Sequence, residues 1–273
     1  STLRTQGKRR ETGMNYTTLK LNVEGGLATI TLARPEKRNA ISTEMIEELL
    51  AALDEAEQGP ARVVVITGEG KAFCSGMDLD ALKAVAQQST EQNLEDSRRM
   101  ARMFRRLWGY SKPLIAAVNG PAIAGGCGIA TLCDFTLAVP EAKFGYTEVR
   151  IGFIPAIVSV FLVRQVGEKR ARDLLLTGRI LDASEAKEMG LVTQIVPEER
   201  LMDTARVLAA ALIANSPSSL LETKRLIRRC AEAEVDRELA LAVAENAKIR
   251  ATADFREGVA SFLEKRKPMW KGE

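Results

Sequence analysis

From Leu27 to Leu32 the sequence LATITL alternates apolar side chains with threonine, the period of two expected of a strand with one buried face. Two later runs, VVVIT at 63–67, β-branched at every position, and LIAAV at 114–118, are continuous, as expected of strands buried on both faces. CDFTLAV at 133–139 reads as a fourth strand, and 141–155 as a strand followed by a loop. Between these runs the period changes to that of a helix. Ser42 is a candidate N-cap, with Met45, Ile46, Leu49, Leu50 and Leu53 on one helical face. Gly59-Pro60 closes that helix, and a longer one is expected over 91–108. After Pro155 the pattern is almost wholly helical, in segments 157–166, 168–177, 183–189, 198–215, 217–233, 236–250 and 253–264. The strand–loop–helix unit recurs three times in the first 140 residues. This predicts a layered α/β core of stacked turns with a helical region docked on it, and a boundary near residue 200.

Composition narrows the function more than the fold. Of 273 residues, 46% are hydrophobic and 27% charged, which suits a protein with a sizeable core. The net charge is only +3, and much of it sits at Arg4, Lys8, Arg9 and Arg10. The remainder is balanced, which argues against a nucleic-acid or membrane partner. No apolar run approaches the roughly 18 residues of a membrane span. Residues 1–13 are polar and aperiodic, and Met14 resembles a natural start; we read 1–13 as a flexible or vector-derived extension. Cys74, Cys127, Cys133 and Cys230 have no metal-finger or paired spacing and read as thiols of a reducing, cytoplasmic compartment.

The chain has no histidine. Triads of the Ser-His-Asp and Cys-His kinds are therefore excluded, and no metal site is expected. Proton transfer must fall to Glu, Asp, Lys, Tyr or Cys.

Two loops follow the buried strands and carry candidate chemistry. They are AFCSGMDL at 72–79 and NGPAIAGGCGIA at 119–130, the second with Gly120, Gly125, Gly126 and Gly128. Small residues there let backbone N–H groups approach a developing negative charge, and two such loops side by side could hold a carbonyl oxygen. Taken singly, each loop suits tight packing equally well. Neither matches a phosphate loop or a dinucleotide fingerprint. A third candidate is Glu148 in KFGYTEVRIGFIP, a carboxylate among apolar neighbours, where desolvation would raise its pKa.

Together these segments resemble the enoyl-CoA hydratase/isomerase (crotonase) family, from about Tyr16 to Trp270. ARPEKRNAIS, VVVITGEGKAFCSGMDL, KPLIAAVNGPAIAGGCGIATLCDFTLA, FGYTEVRIGFIP, LLLTGRILDASEAKEMGLV and EGVASFLEKRKPMW occur in family order. The resemblance implies a crotonase-like spiral of stacked ββα units over 14–200, holding an acyl-CoA site, and a C-terminal helical region over 201–273. It implies a homotrimer or dimer of trimers, an acyl-CoA thioester as substrate, and no cofactor beyond the CoA that the substrate carries. By similarity, the backbone N–H groups of Met77 and Gly125 form an oxyanion hole, and Glu148 is the catalytic residue. Arg38 and Ala40 lie near the nucleotide and pantetheine. Met77, Asp78, Leu79 and Asp80 line the acyl-CoA pocket with Gly125, and Phe262 and Lys265 touch the nucleotide.

One departure bears on the reaction. Hydratases of the family carry two glutamates, and the first of them falls here on Gly128. Hydration of a 2-enoyl-CoA by a single glutamate is the first expectation. Isomerisation of a 3-enoyl to a 2-enoyl thioester, which needs one base, is the alternative. A non-catalytic acyl-CoA-binding or RNA-binding member of the family is the third. Tyr146 is a conceivable substitute proton carrier, although its setting suits packing. The stretch IGFIPAIVSVF is bulkier than the family usually has there, which implies a reshaped acyl pocket.

Overall fold

The computed structural model describes residues 15–272, so the reading of residues 1–13 lies outside the described segment. The chain opens with an antiparallel hairpin, β1 (Leu19–Glu24) and β2 (Leu27–Leu32), turning at Gly25-Gly26. The sequence LKLNVE of β1 alternates like β2 but was not anticipated as a strand. Helix α1 (Thr43–Gln58) follows, and the Ser42 hydroxyl caps it by accepting the Met45 N–H. Next come β3 (Val63–Gly68), α2 (Leu79–Val85), α3 (Thr90–Trp108) and β4 (Leu114–Val118). Helix α2 follows the AFCSGMDL loop in a segment that the sequence pattern leaves unassigned, and Asp78 caps it through the Asp80 N–H. Helix α3 begins at a full capping box of Ser89 and Gln92.

The second turn continues through β5 (Ala122–Ile123), α4 (Gly125–Thr131), β6 (Phe135–Ala138) and β7 (Lys143–Gly145). Helices α5 (Ala156–Val166) and α6 (Glu168–Thr177) lead to β8 (Ile180–Asp182), α7 (Ala183–Glu188) and β9 (Gln194–Ile195). The chain ends in α8 (Leu201–Ala214), α9 (Pro217–Arg229), α10 (Glu232–Ile249) and α11 (Ala253–Leu263). The region after Pro155 is thus less purely helical than its pattern implies. The strands β8 and β9 are too short to show a period, and pairing with β7 and β6 makes them strands.

The strands form two sheets. The larger has the order β1-β2-β3-β4-β6-β9 and is parallel from β2 onward; the smaller has the order β5-β7-β8. The apolar runs β3 and β4 occupy the middle of the large sheet, and their residues are buried on both faces apart from Gly68. Helix α8 packs on β3, β4 and β6, so residues beyond 200 share the same hydrophobic core. Helix α10 lies across α3 and α5, and α11 packs against the turn at Glu148–Ile151. That last contact is backbone-close: a Cβ on Gly258 would stand 2.2 Å from the Ile151 carbonyl oxygen. No described helix is long and apolar enough to cross a membrane.

Candidate active site

The two loops singled out in the sequence lie side by side at the ends of β3 and β4. The Ile123 N–H donates to Cys74 O at 2.9 Å, and Phe73 N–H to Pro121 O at 3.1 Å. Gly126 is needed at this seam, since a Cβ there would sit 2.2 Å from Cys74 O. A third segment joins from the other side. Ile41 donates to Gly76 O at 2.7 Å and accepts from Asp78 N at 2.9 Å. This bridge uses the groups flanking Met77 and turns Met77's own N–H to the opposite side.

Gly125 is the first residue of α4, so its N–H has no acceptor within the helix. Among the described residues neither the Met77 nor the Gly125 N–H has a hydrogen-bond partner. Both follow a residue with positive φ, Gly76 at 88° and Ala124 at 51°. For alanine that conformation is strained, and here it reorients the following peptide.

Glu148 begins a single 3₁₀ turn and is 9% exposed. Its Oε2 is buried without a partner among the described residues. Burial pushes its pKa up to about 7, held back only by its own backbone N–H. Behind it Tyr146 is fully buried, its hydroxyl 3.1 Å from Thr131 Oγ1. Burial pushes the Tyr146 phenol well above its ordinary value, and the residue is not part of the cavity wall.

Met77, Gly125 and Glu148 all line one cavity of about 710 Å³. Ala40, Asp78 and Leu79 line it too, with Arg38, Phe262 and Lys265 at an exposed rim. Asp80 does not: its exposed carboxylate pairs with Lys37 at 3.0 Å. Asp78 is buried, 2.8 Å from Arg34, whose other arm donates to Ala40 O at 2.6 Å. Burial alone would raise the Asp78 carboxyl; the Asp80 N–H and the Arg34 guanidinium outweigh it and hold it below the ordinary carboxylate range. This clamp ties the 34–41 loop to the Met77 loop.

Gly128 lies off the cavity and is not a vacancy. A Cβ there would meet Phe104 Cε1 at 2.7 Å and Val158 Cγ1 at 2.8 Å. Both of those side chains line the cavity, with Met100, Leu82 and Ile157 extending the apolar wall. Two further wall residues escaped the sequence reading: Asn246 on α10 and Arg250 at its C-cap. In sequence they read as the charged face of a surface helix, but both are buried.

The fold is the crotonase fold. A crystal structure of an enoyl-CoA hydratase/isomerase from Xanthobacter autotrophicus Py2 matches with a TM-score of 0.85 at 32% identity, covering 92% of this chain and 98% of that one. A Thermus thermophilus protein with a provisional enoyl-CoA hydratase name is 47% identical over 246 residues, which is 90% of this chain and 97% of that protein. The 2,3-dehydroadipyl-CoA hydratase of Escherichia coli K12 is 34% identical over 245 residues, 89% of this chain and 94% of that protein. The family profile described as enoyl-CoA hydratase/isomerase matches residues 22–273, and the chain belongs to that family.

Proposed function

We propose that the protein adds water across the C2=C3 bond of a 2-enoyl-CoA thioester. In this reading the Met77 and Gly125 N–H groups hold the thioester oxygen, and Glu148 moves the protons. The observation that carries it is the buried, partly unpartnered Glu148 carboxylate in the same cavity as two unpartnered N–H groups. Relatives named as enoyl-CoA hydratases support hydration as the activity.

Two donors on the thioester oxygen polarise the conjugated carbonyl and make C3 electrophilic. The Glu148 carboxylate takes a proton from water as the water oxygen bonds to C3. Electron density then passes to the thioester oxygen as an enolate, which the two N–H groups stabilise by about 3 kcal/mol each. The carboxylic acid so formed returns its proton to C2, and the carboxylate is restored. A pKa of about 7 keeps both protonation states of Glu148 populated near neutrality, as one group serving in turn as base and acid requires.

Isomerisation between 3-enoyl and 2-enoyl thioesters is the second reading, favoured by the packing at Gly128. Phe104 and Val158 crowd the point at which a side chain at 128 would begin. One base moving a proton between C2 and C4 needs no second carboxylate. Self-assembly into a homotrimer or a dimer of trimers belongs to the same proposal. It is supported by α9, which buries no residue within the chain and exposes Leu226 and Ile227.

The test is a paired assay of the purified protein with crotonyl-CoA and 3-hexenoyl-CoA. Hydration of crotonyl-CoA upholds the first reading. Turnover of 3-hexenoyl-CoA alone replaces it with the second. No heat on titration with acetoacetyl-CoA would refute acyl-CoA binding altogether.

A further inference from the structure

Apart from Ser75, Asp78, Thr147 and Glu148, the buried lining of the cavity is polar at one further corner, on α10 and its C-cap. There Asn246 and Arg250 stand one helical turn apart. The Arg250 side chain is 1% exposed. Its Nη1 lies 3.1 Å from Asp96 Oδ2 and 3.3 Å from Asn93 Oδ1, and its Nη2 lies 3.0 Å from Asn246 Oδ1. Its Nε has no partner among the described residues. Asp96 is the only carboxylate paired with this guanidinium among the described residues, and it is shared with Arg99 at 3.0 Å. The Phe153 ring covers the guanidinium at 5.5 Å. Burial pulls the Arg250 pKa below its ordinary value, and Asp96 only partly opposes this. The guanidinium is thus buried against a single carboxylate that it shares with Arg99.

The orientation of Asn246 follows from Arg250. A guanidinium has donors and no acceptor, so the atom 3.0 Å from Nη2 must be the amide oxygen. The Ser97 hydroxyl lies 2.7 Å from the same oxygen. The Asn246 Nδ2 consequently points away from this network, and it donates to no group among the described residues. The corner thus offers one unused donor, the Asn246 Nδ2, beside a buried cation. A hydrocarbon tail would give this donor no partner.

We infer that Asn246 and Arg250 form a subsite for a carboxylate at the far end of the acyl chain, so that the substrate is a 2-enoyl-CoA bearing a terminal carboxylate. This rests on the acyl-CoA reading of the cavity. Position along α3 supports it. Phe104 packs beside Gly125, whose Cβ would lie 3.7 Å from its ring. Ser97, which holds Asn246, is seven residues earlier on the same helix, about 10 Å along its axis. The corner is therefore tied to a part of α3 displaced along the helix from the residue beside Gly125, and it is buried where the CoA rim is exposed.

Calorimetric titration with adipyl-CoA and hexanoyl-CoA tests this, because the two differ at the far end of the acyl chain and neither is turned over. The protein should bind adipyl-CoA about tenfold or more tightly, as a charged hydrogen bond of about 1.5–3 kcal/mol implies. Arg250→Met should bring the affinity ratio to about one. Asn246→Asp, which keeps the side-chain shape and places a competing carboxylate against Arg250, should do the same. The ratio is insensitive to partial misfolding, which lowers both affinities together. Equal affinities in the unaltered protein, or a ratio unmoved by either substitution, would overturn the subsite. Binding of neither thioester would overturn the acyl-CoA reading beneath it.

Discussion

Glu148→Gln exchanges a buried carboxyl group for a neutral amide of nearly the same shape, and its effect on stability can be worked out with its sign. Burial moves the Glu148 pKa from 4.5 up to about 7. The folded chain thus holds the Glu148 proton more tightly than the unfolded chain does. The resulting stability is fully present below pH 4.5 and is lost as pH rises through 7. Two and a half pH units at ~1.4 kcal/mol each amount to about 3 kcal/mol lost by pH 8. Glutamine does not titrate and escapes the loss, while every other group cancels in the comparison. Urea unfolding of both proteins at pH 4.5 and pH 8 should show the variant gaining about 3 kcal/mol relative to the parent over that interval. Over the same change kcat should fall roughly 100- to 10,000-fold. A stability difference that does not vary with pH would refute the reasoning. It would mean that the carboxylate ionises in the fold without cost, and the argument for a base poised near neutrality would go with it.

Three further outcomes are expected. The initial rate on crotonyl-CoA should rise with pH through about 7 and then level, since the ionised form of Glu148 is the base; a profile flat from pH 5 to 9 would contradict this. Gly128→Ala should destabilise by about 1–3 kcal/mol through overpacking against Phe104 and Val158. Thermal unfolding of Gly128→Ala, Phe104→Ala and the double variant should then be non-additive, with Phe104→Ala relieving part of the glycine substitution's cost. Arg34→Met leaves the buried Asp78 carboxylate unpaired, and a loss of about 3 kcal/mol is expected, with a raised KM because the 34–41 loop loses its tie to the Met77 loop. An unchanged urea midpoint would show that the pair is solvated.

Most of the architecture was legible because the strands at the sheet centre and the long helices carry strong periods. VVVIT and LIAAV are continuous runs whose one polar position is Thr67, and α1 begins at the Ser42 cap visible in the sequence. The misses have local causes. The strand β1 alternates in LKLNVE but has only three apolar positions, Leu19, Leu21 and Val23, to mark it. Strands β8 and β9 exist through their partners, which a two- or three-residue segment cannot reveal. At the site, small side chains marked the two loops and apolar neighbours marked Glu148, while Met77, Gly125, Arg38, Ala40, Phe262 and Lys265 took their roles from the family resemblance. What stayed hidden depends on contacts distant in the chain. Phe104 meets Gly128 across 24 positions, and Arg250 meets Asp96 across 154. Asn246 and Arg250 are polar residues one turn apart, a spacing that ordinarily marks a solvated helix face. Only the packing of α10 against α3 makes that face an interior one.

The same packing bears on how one glutamate could hydrate a double bond. An ordered water needs two to four polar partners. On the Gly128 side none is offered, because Phe104 and Val158 close that wall with carbon. An attacking water must then be held by Glu148, by groups that line the cavity beside it such as Thr147, or by the bound thioester itself. Hydration in this chain would therefore depend on substrate-assisted placement of water, whereas proton transfer between C2 and C4 would need only the carboxylate and the polarised carbonyl. Placing glutamate at 128 would not by itself return the second acid, since its Cβ already collides with the Phe104 ring. The aromatic residue on α3 and the glycine on α4 thus act as one unit. On the proposed chemistry, the balance between water addition and proton shuttling would be set by their joint packing more than by either residue alone.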